Sequence, residues 1–335
     1  MKKKSAKRLN AINDSIFATM SKMAFEHNAV NLGQGFPDFD GPEWIREAAY
    51  KAMRDGKNQY APSPGIFSLR KNISEIAEAN YGLTRDPESE ITIFAGATEA
   101  LYCAVTAFID EGDEVIMFEP YYDAHQADVI LAGGIPKYVT LLKPDFSIDF
   151  DDFKSLINSK TKAIILNSPH NPTGKVFSVE ELQKIAELAI EHDLIVISDE
   201  VYEYLTYDNA KHLPIASIEG MSERTITISS TGKTFGMTGW KIGYAIASKE
   251  LTKALRTVHQ WTVFAVNTPA QHAMAEAFSR LENYLPEFRK IYEAKRDLAL
   301  TELSKTVFKA HKPVGSYFIT CFCFRRWNAK LKFRV

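Results

Sequence analysis

The stretch from Ala163 to Tyr202 constrains this chain more than any other, because it holds two short apolar runs separated by one amphipathic helix. Ala163-Ile164-Ile165-Leu166 and Leu194-Ile195-Val196-Ile197 read as buried strands, each followed at once by polar residues. Between them Ser178 and Glu181 make a capping box, and Leu182, Ile185, Ala186 and Ala189 keep the helical period. Strand, helix and strand joined this way place the two strands parallel. In sheets of that kind ligands sit outside the carboxyl ends of the strands. Two segments emerge there. Asn167-Ser168-Pro169-His170-Asn171-Pro172-Thr173-Gly174 is a loop fixed by two prolines around Asn171, and Ser198-Asp199-Glu200-Val201-Tyr202 delivers a carboxylate and then a tyrosine.

Further along, Ser229-Ser230-Thr231-Gly232-Lys233 runs into Thr234-Phe235-Gly236-Met237-Thr238-Gly239-Trp240-Lys241. A lysine amine has a reference pKa of about 10.4 and becomes a Schiff-base former only where its charge is disfavoured. Hydroxyls and a second cation beside it suit a phosphate. The plain alternative is a solvated lysine in a glycine-rich turn. Upstream, Ile91-Thr92-Ile93-Phe94 reads as a strand, and Ala95-Gly96-Ala97-Thr98-Glu99 turns into a helix beginning with Ala100-Leu101-Tyr102. A helix start offers unpaired N–H groups and positive dipole, and small residues let a phosphate come close to Ala97 and Thr98. Val115-Ile116-Met117-Phe118 is another strand, leading to Glu119-Pro120-Tyr121-Tyr122-Asp123.

These segments, in this order, resemble the pyridoxal-phosphate aminotransferases of fold type I, class I/II. Asn31-Leu32-Gly33-Gln34-Gly35-Phe36-Pro37-Asp38-Phe39 resembles the branch holding kynurenine, glutamine and methionine aminotransferases. The likeness covers Ile12 to about Phe318. It implies an α/β fold with a mostly parallel central sheet, helices on both faces and a smaller, here incomplete, α/β domain. It also implies pyridoxal 5′-phosphate as cofactor, with Lys233 condensing with the cofactor aldehyde and then, once displaced by substrate, moving the proton between Cα and the cofactor's C4′. Asp199 would pair with the pyridine nitrogen and keep the ring an electron sink. Asn171 and Tyr202 would donate to the ring's phenolic oxygen, and Tyr122 would stack on the ring, with Tyr121 taking that place if the alignment slips by one. Ala97, Thr98, Ser230 and Lys241 would hold the phosphate, Lys241 standing where many relatives have arginine. Tyr60 would reach the phosphate of a neighbouring subunit, which implies a homodimer. Gly35 and Asn171 would meet the substrate. Taken singly, Asp199 also reads as a helix N-cap, either tyrosine as a core aromatic, and Gly35 as a turn glycine with positive φ.

With 45% hydrophobic and 24% charged residues and a formal net charge of −2, the 335-residue chain carries neither a disorder signature nor a polybasic domain, so nucleic acid is an unexpected partner. No apolar run approaches the about 18 residues of a membrane span and no secretory leader follows Lys2-Lys3-Lys4, so the expected address is cytoplasmic. Cys103 reads as a small core residue, and no cysteine spacing suggests zinc or a disulfide framework, so no metal is expected. The expected division is an N-terminal arm and part of the small domain over 1–45, a large cofactor-binding domain over 46–285, a partial small domain over 286–320 and an aberrant basic tail over 321–335. Val314 to Thr320 resembles the small domain's strand. The tail then carries five basic residues and no acidic one. The resemblance implies a longer small domain and an arginine gripping the substrate carboxylate. No residue matches it, and Arg325, Arg326 and Arg334 share only its type. A frame shift or premature stop accounts for such a tail, and activity is then expected to be impaired. The reaction implied is transamination of a neutral, aromatic or sulfur-containing amino acid with a 2-oxo acid. Cysteine-conjugate β-lyases share the motifs, and a chain that binds cofactor without turnover is the third reading.

Overall fold

A computed structural model of the chain describes residues 5–12, 15–33, 35 and 37–323. Helices α1 (Ile16–Glu26), α2 (Glu43–Arg54) and α3 (Phe67–Tyr81) precede the first strand, β1 (Ile91–Phe94). Then α4 (Ala97–Phe108), β2 (Glu114–Glu119), α5 (Asp123–Ala132), β3 (Ile135–Thr140), α6 (Phe150–Leu156) and β4 (Thr161–Asn167) alternate. The unit anticipated in sequence follows as α7 (Val179–Glu191) and β5 (Ile195–Asp199). The sheet is completed by β6 (Thr225–Ser230), the single turn α8 (Thr231–Thr234) and β7 (Gly243–Ile246), and the chain continues through α9 (Lys249–Thr262), α10 (Thr268–Phe278), α11 (Leu281–Leu303), β8 (Phe308–Ala310) and β9 (Cys321–Cys323).

The main sheet has seven strands in the order β1-β7-β6-β5-β4-β2-β3, with β7 antiparallel to both neighbours and β2 to β6 mutually parallel. Central strands are apolar on both faces because helices cover both. Val115, Met117, Ile165 and Ile197 face one core with Leu101 of α4 and Leu255 of α9. Ile116, Phe118, Ile164 and Val196 face the other with Leu182 and Ile185 of α7. The capping box of α7 is formed: the Glu181 N–H donates to Ser178 Oγ at 3.2 Å and the Ser178 N–H to Glu181 Oε2 at 3.0 Å. A third core joins α2, α3 and α10 to β1 and β7, with Ile93, Tyr244 and Phe278 among its buried side chains. Cys103 is buried in α4.

Two expectations about elements are corrected. Helix α4 begins at Ala97 rather than Ala100, because Gly96, at φ +81°, turns the chain straight from β1 into the helix. Val314 to Thr320 is irregular rather than a strand. Ser316 lies at φ +56°, and the backbone there bonds to two separate loops, Val314 and Gly315 donating to Gly174 O and Ser316 to Leu205 O. The strand of that region is β9, antiparallel to β8. Of the basic tail, residues 324–335, including Arg325, Arg326 and Arg334, lie outside the described residues. Among the described residues no helix is long and apolar enough to cross a membrane.

Candidate active site

The carboxyl ends of β1, β4, β5 and β6 open on one cavity of about 230 Å³. It is lined by Asn171, Asp199, Tyr202, Ser230, Lys233 and Lys241, by Ala97, Thr98 and Tyr122, and by Gly35 from the N-terminal segment. Sequence reasoning therefore named residues that the fold does bring together, with one exception. Tyr60 stands away from the cavity, 83% exposed, with its ring edge-on to Phe264 at 5.2 Å.

Lys233 is carried on the single turn α8 that directly follows β6, and its Nζ donates to Tyr317 Oη at 2.6 Å. Burial pushes this amine down to about 8, Asp199 opposing the shift and Lys241 adding to it. An ordinary surface lysine is protonated at neutral pH, whereas this one has a sizeable uncharged fraction and so can act as a nucleophile or a proton carrier.

Asp199 ends β5, in register with Asn167 at the end of β4. Its Oδ2 lies 2.9 Å from His125 Nε2 and its Oδ1 accepts from the Val201 N–H at 3.3 Å. The local, cap-like bond read from sequence is thus present together with a long-range one. The loop that carries Asn171 is tied to the same strand tip: Asn167 Nδ2 donates to Asp199 O at 2.9 Å, and the Asn171 N–H donates to Asn167 Oδ1 at 2.7 Å. A buried carboxylate held between a ring N and a backbone N–H is oriented, and it can serve a cationic partner in the cavity.

At the far end of the cavity the first N–H groups of α4, at Ala97 and Thr98, have no acceptor within the helix. Lys241, itself at φ +53°, lies over them, its Nζ 3.1 Å from where a Cβ on Gly96 would stand. Gly243 lets β7 run against this turn, since a Cβ there would stand 2.5 Å from Ala97 N. Glu99 braces the turn from inside, accepting from the Ala95 N–H at 2.5 Å and from His259 Nδ1 at 2.7 Å. A helix N-terminus, a hydroxyl from Ser230 and a lysine make a site for a dianion.

Tyr122, and not Tyr121, lines the cavity. Tyr121 stacks on Tyr138 at 5.3 Å, while Tyr122 sits edge-on to His125 at 5.5 Å with its hydroxyl beside Thr98 and pushed up to about 12, chiefly by burial. A Cβ on Gly35 would strike the Tyr317 ring and approach Phe318 to 2.8 Å. Its smallness serves close packing.

Three contributors were not read from sequence. His125 stands three residues after Tyr122, a spacing that puts both on one side of α5, but its partner Asp199 is 74 residues away. Phe17 of α1 lines the cavity from the N-terminal arm, 6.2 Å from the Tyr122 ring. Tyr317 was quoted only as part of an expected strand.

A doubly covered, mostly parallel sheet with a buried lysine, a strand-tip aspartate and an anion cradle in one cavity defines a class of enzymes that work through a phosphorylated aldehyde cofactor. The comparisons with known proteins carry this further. The family model "Aminotransferase class I and II" matches residues 27–333, running past the Phe318 at which the resemblance was expected to end. The methionine aminotransferase of Escherichia coli (strain K12) is 41% identical over 315 residues, 93% of this chain and 81% of that protein. The kynurenine–oxoglutarate transaminase of Dictyostelium discoideum is 40% identical over 336 residues, 94% of this chain and 77% of that one. The solved N-succinyldiaminopimelate aminotransferase from Mycobacterium tuberculosis superposes with a TM-score of 0.91 at 42% identity, covering 93% of this chain and 82% of the other. The chain belongs to the class I and II aminotransferases. It is an enzyme of the fold type I architecture, in a family that uses pyridoxal 5′-phosphate.

Proposed function

We propose that the chain holds pyridoxal 5′-phosphate in this cavity and transfers the amino group of a neutral, aromatic or sulfur-containing amino acid to a 2-oxo acid. The observation that carries the reading is the meeting, in one small cavity, of an amine pushed down to about 8, a buried carboxylate and an open helix N-terminus. Those donors fit the cofactor group by group. Ala97, Thr98, Ser230 and Lys241 would take the phosphate, Tyr122 the ring face, Asn171 and Tyr202 the phenolic oxygen, Asp199 the ring nitrogen and Lys233 the aldehyde carbon. When bound, the cofactor supplies that carbonyl carbon and a ring able to accept the electron pair left at the substrate Cα.

The chain's own residues do the rest. Asp199, aimed by His125 and the Val201 N–H, would hold a proton on the cofactor's ring nitrogen. Lys233 Nζ, uncharged in part at neutral pH, would move the proton between the substrate Cα and the cofactor's C4′. Tyr202, whose hydroxyl burial holds far above its ordinary range, stays a neutral donor throughout. Gly35 and Asn171 would face the substrate carboxylate. Phe17, Tyr122, Tyr202 and Phe318 make the walls aromatic, which favours an uncharged side chain. Relatives named for methionine and for kynurenine with oxoglutarate point to the same substrate class.

Two features of the assembly belong to this reading. A large cofactor-binding unit over 46–285 is flanked by segments 1–45 and 286–320 that together build the smaller unit; Gly35 and Tyr317, one from each flank, meet at 2.9 Å. The enzyme works as a homodimer, with exposed Tyr60 completing the partner's phosphate site. The test is to mix cofactor-loaded protein with methionine, phenylalanine or kynurenine and no oxo acid. Stoichiometric pyridoxamine phosphate and the matching 2-oxo acid are expected. Pyruvate and ammonia from a cysteine conjugate, with no pyridoxamine phosphate from any amino acid, would overturn it.

A further inference from the structure

One contact in the cavity has no part in the chemistry above. Lys233 Nζ donates to Tyr317 Oη at 2.6 Å, and the same hydroxyl donates to the Gly35 carbonyl at 2.9 Å. A phenol has a single proton. With that proton given to Gly35, the oxygen presents only lone pairs to the lysine, and Lys233 must supply the N–H. An uncharged amine held in this way has its own lone pair turned away from Tyr317. We propose that Tyr317 is a positioning residue for Lys233: anchored on the Gly35 carbonyl, it accepts from the amine and so aims the amine's lone pair into the cavity whenever the lysine is free of cofactor.

The surroundings are built for such a role. The Tyr317 ring stacks on Tyr292 of α11 at 5.7 Å and meets Tyr202 edge-on at 5.1 Å, so its hydroxyl cannot wander. Burial holds that hydroxyl well above the usual phenol range, and it stays protonated wherever the enzyme works. The acceptor is backbone, fixed by the close approach of Gly35 to the Tyr317 and Phe318 rings. The other charged or titratable groups facing the amine are Asp199 from the tip of β5, Tyr202 after it, and Lys241 before β7. None of these is an uncharged acceptor within reach of Nζ in the way Tyr317 is. The hydroxyl thereby links the N-terminal segment, the C-terminal segment and the catalytic turn, three parts of the chain far apart in sequence.

The inference rests on Lys233 being the reacting amine, and the experiment separates the two. Wild-type chain and the Tyr317→Phe variant, both full length and freed of cofactor, are acylated with acetic anhydride from about pH 6 to about pH 10, and the Lys233 peptide is quantified. Removing an acceptor from the ammonium form lowers its pKa. The midpoint of Lys233 labelling should therefore fall by about half a unit, and labelling at neutral pH should be about threefold faster in Tyr317→Phe. Gly35→Ala, whose added carbon would drive the Tyr317 ring off the amine, should move the midpoint the same way, and it carries the test if the first variant does not fold. A midpoint unmoved in a folded variant overturns the role of Tyr317, whatever happens to turnover. Borohydride label on a lysine other than Lys233 in the cofactor-loaded wild type overturns instead the reading of the site.

Discussion

Asp199 and His125 show how much of this site depends on single bonds. The Asp199 carboxylate is oriented by His125 Nε2 at 2.9 Å, and on the proposed reading it would keep a proton on the cofactor's pyridine nitrogen. Asp199→Asn should fold and take up cofactor on Lys233, yet lose about a hundredfold or more in kcat/KM for the amino-acid half-reaction, measured by single-turnover absorbance. Lys233 makes a second prediction. Below about 8 its neutral fraction drops tenfold per pH unit, so the rate of cofactor condensation in the cofactor-free chain should climb with pH and level off above about 8. A profile still rising toward the ordinary lysine range would mean the amine is not desolvated. Asn171, Asp199 and Lys233 were legible in sequence because each follows a recognisable strand or glycine-punctuated turn. His125 and Tyr317 were not, because their partners lie 74 and 84 residues away and nothing in the intervening chain fixes the pairing.

The elements that matter most are the parallel strands and the start of α4. The capping box and apolar runs around α7 foretold β4, α7 and β5 with their register direction, since local hydrogen bonding and period 3.6 burial decide them. Sequence placed the start of α4 one turn late, because the polar run Thr98-Glu99 reads as loop until Gly96 and the Glu99 brace on Ala95 are seen. Val314 to Thr320 was misread for the complementary reason: it was read as a strand by resemblance alone, but its backbone partners are loops that only the folded chain supplies. The cradle at α4 gives a prediction at this scale. Gly243→Ala puts a carbon 2.5 Å from Ala97 N and must shift the turn, so phosphate retention should weaken by about tenfold or more, measured as the dissociation constant for cofactor, with the parallel strands left intact by circular dichroism. An unchanged dissociation constant would place the phosphate elsewhere.

At the scale of the whole molecule, the N-terminal and C-terminal segments close on the large sheet from both ends of the chain. Gly35 and Tyr317 touch across 282 residues, and Phe17 of α1 completes the wall. Sequence reasoning expected both segments to contribute to a smaller unit, but it could not tell which side chains meet. Tyr60 is exposed beside Phe264, and on the proposed reading it would act on a second copy. Tyr60→Phe should leave the monomer fold unchanged and raise the cofactor dissociation constant by about tenfold or more, about 1.5 kcal/mol or more for one hydrogen bond to a charged group. Equal retention in both proteins would show that Tyr60 does not reach a phosphate. The central claim is that Lys233 is the amine that takes the cofactor. Loading the full chain with pyridoxal 5′-phosphate, reducing with borohydride and mapping the labelled peptide tests it most directly: one pyridoxyl group on Lys233 is the predicted result, and a folded protein that stays colourless in excess cofactor, or carries the label on another lysine, contradicts it.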